Sequence, residues 1–178
     1  MIVDPVRRVL EALEAPYALI GAHAMAARGY PRFTVDVDFL TTDPRVLARA
    51  TWVDLEHDGA TVDPRRGDAD DPLAGIVHIL LGDGSDIDVV LAKWPWEARV
   101  IARAERMTVM GASLPVPRTS DLILLKLAAG GYLDLRDVAA LLEVGNRDHL
   151  IREVEEVIAD VRPDVRGVWR ELLASTGD

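Results

Sequence analysis

Residues 32–40, RFTVDVDFL, alternate between apolar and polar side chains. This period of two predicts a β-strand with one buried face, formed by Phe33, Val35, Val37 and Phe39. The other face carries two carboxylates, Asp36 and Asp38, whose Cβ atoms would lie about 6–7 Å apart along a strand. Hard carboxylate oxygens this close together suit Mg²⁺ or Mn²⁺. The alternative interpretation is the ordinary solvent face of a strand.

A short strand, a glycine and a helix are expected just before this stretch. Residues 17–20 (YALI) are typical of a strand, Gly21 ends it, and residues 22–29 (AHAMAARG) predict a helix that stops at its final glycine. Because a helix N-terminus presents free backbone N–H groups, the arrangement favours an anion such as phosphate. A tight strand-to-helix turn without a ligand explains the same pattern, and both interpretations stay open.

A predicted β-hairpin follows the acidic stretch. Residues 73–81 (LAGIVHILL) and 86–92 (DIDVVLA) are strand-like and flank the turn residues GDGSD. Asp88 lies just inside the second strand, whereas Asp86 could belong to the turn, so we expect Asp88 to be the functional carboxylate. If this strand neighbours the one with Asp36 and Asp38, three carboxylates can hold two divalent ions about 3.5–4 Å apart.

Composition restricts the class of protein. The 178-residue chain is 49% hydrophobic and has no cysteine, which predicts one soluble domain without disulfides and a cytoplasmic location. Residues 4–14 predict an amphipathic helix instead of a signal peptide, and no apolar run is long enough for a membrane span. The net charge of −10 disfavours a protein that grips long nucleic acid through phosphates.

The helical and strand patterns divide the chain near residue 117. Residues 41–50 and 94–104 predict helices, and residues 106–110 and 112–116 predict a strand pair around Gly111. From Thr119 onwards the period is helical almost throughout. We therefore expect an α/β (α+β) core with a mixed twisted sheet and flanking helices over residues 1–117, and a C-terminal helical segment over residues 118–178.

The segment GAHAMAARGYPRFTVDVDFL resembles the signature of minimal nucleotidyltransferases of the polymerase-beta-like superfamily. The similarity is strongest to the AbiEii-like branch, which includes toxin components of bacterial toxin–antitoxin systems. That branch reads Arg-x-Thr-x-Asp-x-Asp, matched by Arg32, Thr34, Asp36 and Asp38. Its downstream helical motif resembles DLILLKLAAGGYLDLRDVAALL, where a lysine precedes aspartates.

The resemblance implies roles for particular residues. Asp36, Asp38 and Asp88 would be the catalytic and metal-binding carboxylates. The nucleotide-binding residues would be Gly21, Ala22, Arg32 and Lys126. Ala22 stands where the family has glycine or serine, so that position offers neither a side-chain donor nor a closer backbone approach.

Two of these residues have a second interpretation. Arg32 could clamp a phosphate or neutralise the acidic pair. Lys126 lies on an apolar helix face, where it either reaches a phosphate or pairs with Asp134 or Asp137.

Histidines and tryptophans are expected to be less informative. His23 and His78 have no second histidine at ligand spacing, so we expect structural or general pocket roles. Trp94 and Trp96 are interpreted as packing residues in preference to base-stacking ones.

Together these features predict a Mg²⁺-dependent transfer of a nucleoside monophosphate from an NTP, such as ATP, to an acceptor hydroxyl. The acceptor could be RNA, a protein or a small molecule, and the resemblance adds a cognate antitoxin or toxin as partner. Two rivals are a two-metal phosphohydrolase and a non-catalytic module of the same fold that binds or regulates.

Overall fold

The structure, a computed structural model, describes residues 3–32 and 34–175. Within those residues a five-stranded sheet has the order β1-β2-β5-β4-β3 and a separate two-stranded sheet pairs β6 with β7. The strands β2 and β5 are parallel, and every other neighbouring pair is antiparallel. The strands are β1 Tyr17–Ile20, β2 Val37–Thr41, β3 Thr61–Arg66, β4 Gly75–Leu80, β5 Asp86–Leu91, β6 Glu105–Val109 and β7 Ala112–Val116.

Eight helices accompany the strands in the described part of the chain. They are α1 Asp4–Ala12, α2 Gly21–Ala27, α3 Val53–His57, α4 Pro95–Ala102, α5 Thr119–Ala129, α6 Tyr132–Val144, α7 Arg147–Ile158 and α8 Pro163–Ser175. A proline near the first position starts both α1 and α4, where its missing N–H has no cost. The predicted mixed α/β fold with a helical C-terminal segment is therefore confirmed.

Both predicted strand pairs are present. The β4–β5 hairpin places Leu80 opposite Asp86, with the turn between them, and β6–β7 places Val109 opposite Ala112. The strand β3 pairs only with β4 and so forms one edge of the sheet, with Pro64 opposite Val77. A proline fits an edge strand because it has no N–H to contribute to a ladder.

The predicted strand over residues 32–40 is too long. The observed strand β2 begins at Val37, Asp36 lies before it, and Val35 is 69% exposed instead of buried. Phe33 lies outside the described residues. The strand starts late because β1 ends at Ile20, opposite Asp38, and the chain then turns into α2. The pairing of β2 with β5 begins only at Val37, opposite Ile87, so the residues before Val37 have no partner on either strand.

The predicted helix over residues 41–50 is also wrong. Two 3₁₀ turns, Pro44–Leu47 and Arg49–Trp52, precede the short α3. The buried Trp52 donates its indole N–H to the Val46 carbonyl at 2.7 Å. Six residues of α-helix would separate these two positions by about 9 Å, so that contact requires the break.

The main sheet has one buried face and one partly open face. Phe39, Val77, Ile79, Ile87 and Val89 are fully buried on the first. The alternate residues Asp38, His78 and Asp88 lie on the second face and are only partly buried. Farther along the same face, α4 and α5 cover Leu40 and Val90. The acidic residues thus lie where the covering helices end.

One buried apolar cluster links the sheet to the C-terminal helices. It includes Phe39 of β2 together with Leu124, Leu141 and Trp169 from three helices. The predicted boundary at residue 117 falls in the connection between β7 and α5. Whether it separates two folding units stays a prediction. In residues 3–32 and 34–175, no helix combines the length and the apolar character needed to cross a membrane.

The continuous core predicts that both segments unfold together. Two ion pairs also cross the boundary, because Arg32 and Arg99 of the first segment contact Asp137 at 2.8 Å and Asp160 at 2.6 Å in the second. In differential scanning calorimetry we expect a single transition whose van't Hoff and calorimetric enthalpies agree. Two resolved transitions would show that residues 118–178 form a separate unit.

Candidate active site

Two carboxylates lie side by side on the parallel strands of the sheet. Asp38 of β2 is the direct register partner of Asp88 of β5. The same row continues across the open face, from Asp88 to His78 of β4 and then to Asp63 of β3, while Ile20 of β1 lies beyond Asp38. Register partners share a face of the sheet, so the row brings Asp38 and Asp88 together although fifty residues separate them.

The electrostatics of this pair are unfavourable without a cation. Burial, followed by the negative charge of Asp88, raises the pKa of Asp38 to about 6. Burial also raises the pKa of Asp88, although His78 opposes that change. The carboxylate of Asp36 adds a smaller repulsion to both groups. Asp36 is exposed and lies in the loop before β2, so its position beside the pair comes from a loop and not from the predicted strand.

His78 contacts the acidic pair directly. Its Nδ1 lies 2.5 Å from Oδ1 of Asp88. The sequence interpretation as a structural or general pocket residue missed this specific contact because it looked for a second histidine. The hairpin turn could have predicted this contact. When β4 and β5 are paired symmetrically about Asp83, His78 falls opposite Asp88.

Gly21 makes room for the Asp38 carboxylate. It has a φ of +66°, in the left-handed region, and a Cβ built there would lie 2.0 Å from Oδ2 of Asp38. Glycine is therefore required by the close approach as well as by the backbone conformation. The next residue, Ala22, is the second residue of α2 and is 7% exposed. The predicted glycine turn thus lies directly against the acidic pair.

The two cations expected to bind nucleotide have carboxylate partners. The Lys126 ammonium lies 2.7 Å from Oδ1 of Asp134 and 2.9 Å from Oδ2 of Asp137. Arg32 also pairs with Oδ2 of Asp137, at 2.8 Å. Burial works against the charged form of Lys126, but the hydrogen bonds that it donates to Asp134 and Asp137 outweigh burial and raise its pKa. Lys126 also lowers the pKa of Asp38, so its charge is felt at the acidic pair.

The remaining candidates lie away from the carboxylates or at the border of the site. His23 is on α2, where burial lowers its pKa. Trp96 is buried in α4, while Trp94 is half-buried, with the Lys93 ammonium 5.7 Å from its ring centre. Both tryptophans line an apolar cavity next to the sheet.

The acidic pair has the donor chemistry of a divalent metal site but is not arranged as one. Among the described residues, no group of three or more histidine, cysteine or acidic side chains is positioned to hold a metal ion. The contact of Asp88 with His78 gives a reason, because it directs one carboxylate oxygen away from Asp38. The carboxyl groups of Asp38 and Asp88 are adjacent and both have raised pKa values. Their hard oxygens nevertheless fit a cation such as Mg²⁺, which would relieve the repulsion between them.

Solved nucleotidyltransferases share the fold of this chain. The antibiotic-resistance factor ANT(2'')-Ia superposes with a TM-score of 0.56 at 16% identity, over 98% of this chain and 92% of that protein. The lincosamide antibiotic adenylyltransferase LnuA gives 0.52 at 10% identity, over 81% and 96% of the two chains. The Megavirus polyadenylate synthase gives 0.50 at 12% identity, over 80% of this chain and 30% of the synthase.

No protein-family model and no curated protein sequence matches the chain. At these low identities the structural similarity establishes the fold. The chain thus has the nucleotidyltransferase fold that the sequence resemblance implied.

The close approach at Gly21 can be tested by substitution. Gly21→Ala should lose about 1 kcal/mol for the left-handed backbone and a further 1–3 kcal/mol because Asp38 must move. Gly130→Ala is the matched control, since its φ is +70° and its nearest contact is an ordinary 3.7 Å. Denaturant unfolding should show the larger loss only at Gly21, and the excess should vanish in Gly21→Ala/Asp38→Ala. Equal losses at the two glycines would contradict the contact.

The raised pKa of Asp38 predicts a pH-dependent stability of the metal-free protein. Its folded value of about 6 exceeds the ordinary 3.8, so the folded state binds the extra proton between these values. The free energy of unfolding should therefore fall as pH rises through this window, with Asp38 contributing about 3 kcal/mol.

The measurement is denaturant unfolding in EDTA at several pH values. Asp38→Asn should flatten the profile, whereas Asp70→Asn, in an exposed loop, should leave it unchanged. Near neutral pH, Mg²⁺ should raise the melting temperature of the wild type more than that of Asp38→Asn. Parallel profiles for the wild type and Asp38→Asn would show that Asp38 is not the titrating group.

Proposed function

We propose that the chain is a Mg²⁺-dependent nucleotidyltransferase that moves a nucleoside monophosphate from an NTP to an acceptor hydroxyl and releases pyrophosphate. The observation that supports this most strongly is the in-register pair Asp38–Asp88 against the glycine turn. The fold shared with known nucleotidyltransferases provides independent support. Transfer to phosphorus needs mainly positioning and charge neutralisation, which this arrangement can supply.

The three carboxylates would have different roles in metal binding. Asp36 and Asp38 would each ligate two metal ions, and Asp88 would ligate one of them. Divalent ions bound there would neutralise the triphosphate and favour deprotonation of the attacking hydroxyl. Asp88 can also accept the hydroxyl proton, because His78 contacts only its Oδ1 and leaves Oδ2 for this role.

The glycine turn and two cations would bind the triphosphate. Gly21 and Ala22 would offer backbone N–H groups beside Asp38. Arg32 and Lys126 are both paired to Asp137, so phosphate binding would require them to exchange that carboxylate for phosphate oxygens. Arg32 is the freer of the two, since 36% of its side chain is exposed against 16% for Lys126. We therefore assign the first phosphate contact to Arg32.

Small molecules and RNA are both candidate acceptors. ANT(2'')-Ia has been solved with adenylyl-2''-tobramycin and LnuA with lincomycin, while the Megavirus neighbour is a polyadenylate synthase. Small molecules and RNA are thus both represented among proteins of this fold. The sequence resemblance supports a role in a toxin–antitoxin pair with a cognate partner protein, and the composition supports a cytoplasmic location.

One observation favours a non-catalytic binding module instead. Ala22 is buried and lacks the side-chain hydroxyl that a serine would offer to phosphate. Titration calorimetry with Mg²⁺ and each NTP separates the two functions when combined with turnover. Binding without turnover supports the module, and no heat with any NTP would overturn both nucleotide-dependent functions.

The enzymatic proposal is tested with α-labelled NTPs and Mg²⁺, following label transfer and pyrophosphate release. We expect Asp38→Asn and Asp88→Asn to reduce both by at least about 100-fold because each removes a charge that contacts the reacting groups. Asp63→Asn is the matched control: Asp63 lies in the same row but on the edge strand, paired with Arg65. Release of inorganic phosphate without label transfer would identify a phosphohydrolase.

A further inference from the structure

An apolar cavity lies on the same sheet face as the acidic pair. Its volume is about 300 Å³, and it opens between the sheet, α4, α5 and the connection from α7 to α8. Leu40 and Val90 form its floor, and Leu125 and Ala128 of α5 form the opposite wall. The other lining residues are Ile20, Pro72, Leu73, Trp94, Trp96, Glu97, Ala129, Val161 and Arg162.

The floor of the cavity continues directly from the carboxylates. Leu40 and Val90 are register partners, and each lies two residues beyond its aspartate, Asp38 or Asp88. Residues two apart on a strand share a face and are separated by about 6–7 Å. Neither aspartate lines the cavity itself, so a ligand reaches the acidic pair when it extends about 6–7 Å further along this face.

The cavity and the glycine turn lie on opposite sides of the pair. The strand β1 is antiparallel to β2, with Ile20 opposite Asp38, so Gly21 follows towards the Val37 end. Leu40 lies towards the other end of β2. In-line displacement at phosphorus places the attacking and leaving oxygens on opposite sides of the reacting atom. With the leaving pyrophosphate at the glycine turn, the attacking hydroxyl comes from the cavity side.

The lining of the cavity suits an apolar ligand. Apart from Glu97 and Arg162, its lining residues are apolar. A volume of about 300 Å³ is at the lower end for small-molecule sites and is too small for a folded macromolecule.

We infer that this cavity binds the apolar body of a small, uncharged acceptor alcohol. This assignment rests on the proposed function and selects a small molecule over RNA or protein. The acceptor oxygen forms a bond to the α-phosphorus while the bond to the bridging oxygen of pyrophosphate breaks. Pyrophosphate leaves with the electron pair, and the hydroxyl proton passes to Asp88.

The test uses 2-naphthaleneethanol as a probe acceptor and isothermal titration calorimetry on the full chain. We expect saturable binding that Ala128→Phe weakens at least tenfold, because the phenyl ring fills the cavity. Ala139→Phe, at a partly exposed alanine of α6, is the matched control and should change the Kd less than twofold. Equal affinities in the wild type and Ala128→Phe overturn the assignment.

Two further measurements, competition by ATP and label transfer, distinguish the acceptor from other occupants of the cavity. Metal-free ATP should leave the affinity for the probe unchanged, and competition by ATP would place the nucleobase in the cavity and overturn the acceptor assignment. Label transfer from ATP to the bound probe supports both proposals. Pyrophosphate release without any probe binding overturns the cavity assignment alone, whereas probe binding without transfer to any hydroxyl overturns the proposed function and the acceptor role with it.

Discussion

The parallel pairing of β2 with β5 is the constraint on which the site depends. It places Asp38 beside Asp88 and, two residues further along each strand, Leu40 beside Val90. The first pair is electrostatically strained, as the raised pKa of Asp38 shows, and the second is apolar. One strand register therefore creates a charged centre and an adjoining cavity together. A shift by a single residue would bury the aspartates and expose the residues of the core.

Local pattern alone allowed much of this arrangement to be predicted. Alternation identified the strands that carry Asp38 and Asp88, and glycine and aspartate at positions 82–86 identified the hairpin. The start of β2 was predicted wrongly because alternation at Val35 and Asp36 does not reveal whether a partner strand is present. Trp52 likewise broke a predicted helix through a hydrogen bond to Val46 that no local propensity encodes.

Contacts between distant segments were the least predictable. The approach of the Asp38 carboxylate to Gly21 depends on β1 turning into α2 at one position, and the shared use of Asp137 by Arg32 and Lys126 joins a loop to two helices. The sequence offered pairing of Lys126 with Asp134 or Asp137 as one of two interpretations, but the contact of Arg32 with Asp137 and the approach of Asp38 to Gly21 needed the packed structure. His78 shows the same principle in a simpler form, since its contact with Asp88 follows from register and not from its own neighbours in sequence.

The edge strand β3 has a consequence for solution behaviour. Its sequence TVDPRR combines Pro64, which cannot donate to an additional strand, with the charged residues Asp63, Arg65 and Arg66. A second copy approaching this edge would meet a missing N–H and would have to desolvate charged groups. The strand farthest from Asp38 and Asp88 therefore protects this edge of the sheet against intermolecular extension.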